Sequence, residues 1–73
     1  MKVYFENSRG ELRVIAEVAG EKEAMKEIFK FLDEHNFKSY YQRMYTVPVD
    51  GVNMTCIDVG SHTEFFYIEP PII

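Results

Sequence analysis

The sequence predicts one small α+β domain, spanning residues 1–73, in which a mostly antiparallel five-stranded sheet carries one amphipathic helix on one face. Three observations predict it. Several short runs alternate apolar and polar residues, as strands do; one run repeats every three to four residues, as a helix does; and turn residues separate them. The predicted order is ββαβββ, with strands at 2–6, 11–18, 38–47, 52–59 and 63–69 and the helix at 21–35.

The first two strands are predicted to form a hairpin across the turn-forming residues 7–10. An even loop pairs Phe5 with Leu12 and Val3 with Val14, which keeps apolar side chains on a common face. A three-residue loop, which sets Phe5 against Arg13, conflicts with this pattern. The expected inward residues of the second strand are Leu12, Val14, Ala16 and Val18.

The helix is predicted from one apolar stripe opposite a charged side. Gly20 is an acceptable N-cap, and Asn36 is suited to end the helix in the left-handed conformation. The stripe contains Ala24, Met25, Ile28, Phe31, Leu32 and His35, with Phe29 at its edge.

The last three strands are predicted to form a meander. Asp50-Gly51 is a strong signal for a two-residue hairpin turn, and it sets Asp58 opposite Arg43. Gly60-Ser61 provides the next turn, and Pro70-Pro71 ends the last strand.

Both faces of this meander carry apolar side chains, which is more than one helix can cover. A helix is about 10 Å wide, whereas five strands span roughly 19–24 Å. Exposed apolar patches usually mark interfaces, and Tyr and Met are favoured there. We therefore expect a homodimer through the sheet or its edge; the alternatives are a different protein partner and a monomer whose long side chains shield this surface. The expected interface residues are Tyr40, Tyr41, Met44, Tyr45, Phe65, Phe66 and Tyr67.

Composition and charge argue against several classes of protein. The chain has 8 basic and 12 acidic residues, so nucleic-acid binding by phosphate neutralisation is not expected. It has no apolar stretch of the ~20 residues that cross a bilayer, and its start does not look like a signal peptide. A single cysteine, Cys56, excludes an internal disulfide. We expect a cytoplasmic protein.

No residue cluster carries a specific catalytic, cofactor or metal signature. Asp58, Ser61 and His62 crowd one turn, where neighbouring side chains diverge too much for a nucleophile–base–acid triad. Asp58, His62 and Glu64 include metal-ligand types, but Asp58 belongs to the preceding strand. Cys56 is expected to be a packed thiol without an adjacent base. We expect a non-enzymatic protein that needs no cofactor.

An alternative is a platform on which the sheet aromatics stack a nucleotide or the bases of a single strand. Such binders add a basic groove, and the only cations expected nearby are Lys38, Arg43 and Arg13.

Residues 57–66, with the sequence IDVGSHTEFF, follow a helix that ends in FLDEHNF at residues 31–37. These segments resemble small uncharacterised proteins of phages and prophages of Gram-positive bacteria. The resemblance implies a phage-encoded accessory protein that acts inside a bacterial host. It implies no activity and no functional residues.

Overall fold

The computed structural model describes residues 1–35, 43–60 and 63–70. Within these residues, five strands and one helix follow one another along the chain. They are β1 (Lys2–Glu6), β2 (Leu12–Glu17), α1 (Glu21–Glu34), β3 (Arg43–Val49), β4 (Val52–Asp58) and β5 (Phe65–Ile68).

The strands form one sheet in the order β2-β1-β5-β4-β3, and every neighbouring pair is antiparallel. The predicted α+β fold, an antiparallel five-stranded sheet with one helix, is therefore confirmed. The β1–β2 hairpin and the β3–β4–β5 meander join through β1 and β5, where Val3 lies opposite Ile68 and Phe5 opposite Phe66.

The buried stripe of α1 holds the helix on the sheet. Ala24, Ile28 and Leu32 are buried at four-residue spacing, as the predicted stripe requires. Phe31 lies beside them, with its ring centroid 4.7 Å from that of Phe5 and 5.4 Å from that of Phe66. These aromatic contacts fix the helix over β1 and β5.

The two ends of α1 differ from each other in how they are capped. Gly20 is the N-cap and makes no side-chain hydrogen bond. His35 is the C-cap, and its Nδ1 lies 2.9 Å from the carbonyl oxygen of Phe31. The predicted helix-ending residue Asn36 lies outside the described residues.

The helix covers only part of its face of the sheet. It contacts β2, β1 and β5, and the core lies beneath it and reaches into β4 and the residue after it. The fully buried core residues from the sheet are Val3, Ile57, Val59, Phe66 and Ile68. On β3, Met44 is 49% exposed, because α1 does not extend over this strand.

The predicted register of the first hairpin is wrong. Phe5 lies opposite Arg13 and Glu6 opposite Leu12, so the connection has an odd number of residues. Asn7 stabilises this loop, because its Oδ1 accepts hydrogen bonds from the backbone N–H groups of Arg9 at 2.9 Å and Glu11 at 3.0 Å.

A register shift then changes the direction of the β2 side chains. Tyr4 lies opposite Val14 but Val3 lies opposite Ala16, so Ile15 is the additional residue of a β-bulge. Ile15 and Ala16 both pack against the core, whereas Leu12 and Val14 are exposed. The expected inward positions of Leu12 and Val14 are therefore corrected, because periodicity alone does not reveal a bulge.

The predicted β3–β4 turn is confirmed. Asp50 and Gly51 have φ of 50° and 80°, which is typical of the two-residue turn that joins twisted strands. Arg43 lies opposite Asp58, as expected. Strand β3 includes Pro48 and extends beyond its predicted end at residue 47; residues 38–42 of the predicted strand lie outside the described residues.

Replacing the central buried residue of the helix tests this packing. We expect Ile28→Ala to lower the free energy of unfolding by about 2–5 kcal/mol, because it leaves a cavity between α1 and the sheet. Urea denaturation measures the change. Phe29→Ala is the matched control on the exposed side of the helix, and it should cost less than about 0.5 kcal/mol. Equal losses for the two variants would contradict the packing described here.

Candidate functional site

The face of the sheet opposite α1, called here the helix-free face, carries one row of side chains across all five strands. The pairings place Val14, Tyr4, Tyr67, Cys56 and Tyr45 side by side, on β2, β1, β5, β4 and β3 respectively. We call these five residues the aromatic row. Three of the five are tyrosines, which combine a large apolar ring with a polar hydroxyl.

The ends of the aromatic row are more exposed than its centre. Val14 is 48% exposed and Tyr45 is 43% exposed, whereas Tyr4 and Tyr67 are half-buried. Cys56 is only 2% exposed, although no helix covers this face in the part of the chain that the structure describes. It lies directly between Tyr45 and Tyr67, whose larger side chains shield its sulfur from solvent.

One hydrogen bond joins two side chains on this face. The Tyr67 hydroxyl donates to Glu6 Oε1 at 2.9 Å. The hydroxyls of Tyr45 and Tyr67 also lie close enough to the Cys56 thiol to influence its pKa. The hydrogen bond joins β5 to β1, so it restrains the Tyr67 ring relative to the sheet.

The pKa values of three groups on this face are raised, with burial contributing to each. Burial, followed by the hydrogen bond to Glu6, raises the pKa of Tyr67 well above its usual value. Burial also raises the pKa of Cys56, partly offset by the neighbouring tyrosine hydroxyls. The neighbouring Cys56 thiol, followed by burial, raises the pKa of Tyr45. A protonated, covered thiol is a poor nucleophile, so Cys56 acts as a packed side chain.

A second row carries most of the charge on this face. It places Leu12, Glu6, Phe65, Asp58 and Arg43 side by side. Alternation along β1 and β2 adds Lys2 and Glu17, which face each other. Carboxylates thus outnumber cations on the helix-free face.

The expected interface residues that the structure describes lie on two different faces of the sheet. Tyr45, Phe65 and Tyr67 share the helix-free face, whereas Met44 is exposed on the other side of β3. Tyr40 and Tyr41 lie outside the described residues. Sequence reasoning missed Tyr4 and Val14, although the alternation of residues 2–6 already separated Tyr4 from Val3 and Phe5.

Phe66 is not a surface residue, which corrects its expected place at an interface. It is 0% exposed, and its ring centroid lies 5.2 Å from that of Phe5 beneath the helix. The alternation of β5 directs Phe65 and Tyr67 outward and Phe66 and Ile68 inward. One apolar run therefore supplies both the core and the helix-free face.

The turn after β4 shows a structural role for Asp58. Its Oδ1 accepts a hydrogen bond from the backbone N–H of Gly60 at 2.9 Å. Ser61 and His62, which the catalytic and metal hypotheses need, lie outside the described residues. Among residues 1–35, 43–60 and 63–70, no three His, Cys, Asp or Glu side chains are grouped to hold a metal ion.

Sequence reasoning also missed an open cleft of about 310 Å³ between α1 and the edge strand β2. The β-bulge forms one wall of it, so no periodicity signal could have revealed it. Arg13, Val14, Ile15, Phe31, Glu34 and His35 line the cleft. The His35 ring stacks on Phe31 with a centroid distance of 4.0 Å, so it packs within this chain.

Comparisons with known proteins add no family. No protein-family model matches the chain, and searches of curated proteins and of solved structures find no significant match. The resemblance to phage proteins therefore stays a prediction. No helix in the described ranges has the length and apolar character needed to span a bilayer.

Because Cys56 is shielded, we expect its thiol to be alkylated slowly, at a rate that depends on the Tyr45 ring. Tyr45→Ala should accelerate the reaction of Cys56 with iodoacetamide, because it removes the side chain that covers the sulfur from β3. Mass spectrometry of the time course measures the rate. Tyr45→Phe is the control; it keeps the ring and should alkylate nearly as slowly as the wild type. A fast wild-type reaction would show that the sulfur is not covered.

The raised pKa of Tyr67 predicts a specific loss of stability at alkaline pH. Because the folded pKa lies above the unfolded value of about 10, the contribution is present below that pH and is lost as pH rises further. The stability difference between wild type and Tyr67→Phe should therefore be constant up to about pH 10 and then shrink. Urea denaturation between pH 7 and 11 measures it, and a difference that stays constant throughout would contradict this assignment.

Proposed function

We propose that this chain is a small non-enzymatic module that binds a protein partner through its helix-free face. The observation that carries the proposal is the aromatic row, which crosses every strand of the sheet on the side opposite α1. Tyrosine supplies a large contact area with few rotatable bonds, and residues of this kind dominate the energetics of protein interfaces.

The contacts of Tyr67 support binding by a pre-ordered surface. Its hydroxyl donates a hydrogen bond to Glu6, and its half-buried ring lies beside Cys56. Side chains that are already ordered lose less conformational entropy when a partner binds. The exposed ends of the row, at Val14 and Tyr45, leave apolar area for the partner to bury.

The charges of the same face favour a protein partner over a nucleic acid. Glu6 and Asp58 lie within the surface beside Phe65, and the whole chain has a net charge of −4. Such a surface repels phosphate groups, whereas it complements a protein that presents apolar side chains flanked by Lys or Arg. The resemblance to phage proteins extends the proposal to a macromolecule in the cytoplasm of a bacterial host.

Variants far from β3 test this proposal. A partner is first captured from a bacterial lysate with the tagged protein, identified and purified; its affinity is then measured by calorimetry. Val14→Ser and Tyr4→Ala should each weaken binding by about tenfold or more, provided that circular dichroism shows both variants to be folded. Phe29→Ala, on the exposed side of the helix, is the matched control and should bind like the wild type.

Two results would overturn the proposal. One is a partner whose affinity falls with Phe29→Ala but not with Val14→Ser or Tyr4→Ala, since that partner would bind the helix. The other is tight binding of a fluorescent single-stranded oligonucleotide that weakens steeply with added salt and is lost in Tyr4→Ala. That second result would replace the protein partner with the nucleic-acid alternative.

A further inference from the structure

Strand β3 forms one edge of the sheet, and its turn determines which backbone groups point outward. In a two-residue turn, the residues on either side of the loop share hydrogen bonds, so Val49 and Val52 form a hydrogen-bonded pair. Such pairs alternate along an antiparallel ladder. Val47, Tyr45 and Arg43 therefore bond β4, and the residues between them direct their backbone groups away from the sheet.

The outward positions are Met44, Thr46 and Pro48. No strand pairs with this side of β3 in the part of the chain that the structure describes. Met44 and Thr46 each present a backbone donor and acceptor, whereas Pro48 has no N–H. Proline is tolerated at such an edge because its missing donor would face solvent, and it ends the row of donors.

We propose that a second copy of this chain pairs with this edge, strand β3 against strand β3, in antiparallel register about a two-fold axis at Tyr45. Met44 of each copy then lies opposite Thr46 of the partner subunit, and each pair exchanges both backbone hydrogen bonds. This register is self-complementary. Met44, which precedes Tyr45 in one copy, meets Thr46, which follows Tyr45 in the other, and the reverse pair forms on the other side of the axis. The register also places Pro48 beyond the paired segment.

The side chains of β3 suit this register. The two Tyr45 residues form a non-hydrogen-bonded pair with Cα atoms about 4.5 Å apart, where side chains approach most closely. Both Tyr45 rings lie on the helix-free face, so the aromatic row continues from one subunit into the next. Met44 and Tyr45, exposed in the single chain, become partly covered.

Charge also favours this strand as the contact between two acidic chains. Each chain has a net charge of −4, but Arg43 is the only charged residue of β3. In the proposed register Arg43 lies opposite Val47 of the partner subunit, so the two Arg43 Cα atoms are about 14 Å apart. Repulsion between like charges is therefore small at the contact.

The other edge of the sheet is less suited to pairing. Strand β2 contains the bulge at Ile15 and the charged residues Arg13 and Glu17. Bulges and charges at edges hinder the addition of a strand. A paired segment of about five residues also buries less than the ~1,200 Å² of a stable complex, so we expect a weak dimer whose population depends on concentration.

Sedimentation equilibrium over a range of concentrations tests the pairing. Thr46→Pro removes an outward N–H without removing a hydrogen bond to β4, and it should weaken dimerisation by at least about tenfold. Thr46→Ser, which keeps the N–H, is the matched control and should dimerise like the wild type. Circular dichroism confirms that both variants are folded.

Cysteine cross-linking tests the register without relying on the proline variant. In a Cys56→Ala background, Tyr45→Cys should form an intermolecular disulfide with oxidised glutathione, because Cα atoms at this separation can be bridged. Val47→Cys, on the same face but about 14 Å from its copy, should remain reduced.

Three outcomes would overturn the inference: a wild type that is monomeric at millimolar concentration, a dimer that Thr46→Pro does not weaken, or equal cross-linking at positions 45 and 47. The edge contact leaves Val14 and Tyr4 free at the far side of the helix-free face. Its failure would therefore leave the proposed function untouched, and the partner-binding variants would not affect the dimer.

Discussion

One helix packs against part of a five-stranded sheet, and this partial cover determines the surfaces of the molecule. Three small or aliphatic side chains of α1, at Ala24, Ile28 and Leu32, meet the sheet together with Phe31. They close the core over β2, β1 and β5 but do not reach β3. Within the described residues, the opposite face has only its own side chains for cover, and no helix covers β3 on either side. These two surfaces are a direct result of the small size of the domain.

The side chains of the helix-free face cover one another. Tyr67 donates a hydrogen bond to Glu6, and Tyr67 and Tyr45 lie on either side of Cys56. The two rings cover the thiol, and burial raises its pKa. The two proposals use different parts of this arrangement. A partner protein would contact the faces of the rings, whereas a second copy would use the backbone of β3 and extend the aromatic row.

Local patterns predicted most of the elements, but not how they combine. The alternation of residues 2–6, the stripe of α1 and the Asp50-Gly51 turn each carry their own signal, and the β3–β4 register followed from the turn. The β1–β2 register could not be predicted in the same way, because Asn7 stabilises a longer loop and Ile15 forms a bulge that alternation cannot reveal. The β1–β5 pairing, which gives the sheet its order, is a contact between the two ends of the described chain and has no local signature.

The interface residues were predicted less well than the elements for a related reason. Strand β5 begins with three aromatic residues in a row, Phe65, Phe66 and Tyr67. Only the pairing of β5 between β1 and β4 shows that Phe66 belongs to the core. Tyr4 joins the aromatic row through the same pairing. Faces of a strand are evident from sequence, but which face the helix covers depends on the strand order.

The bulge at Ile15 has a consequence for crowded solutions of this protein. Ordered polymers that grow by strand addition, fibrils among them, need two receptive edges on every subunit. Here one edge is distorted and charged, and the other is receptive only as far as Pro48. The proposed pairing through β3 would therefore occupy the one receptive edge of each chain, and assembly would stop at a closed pair.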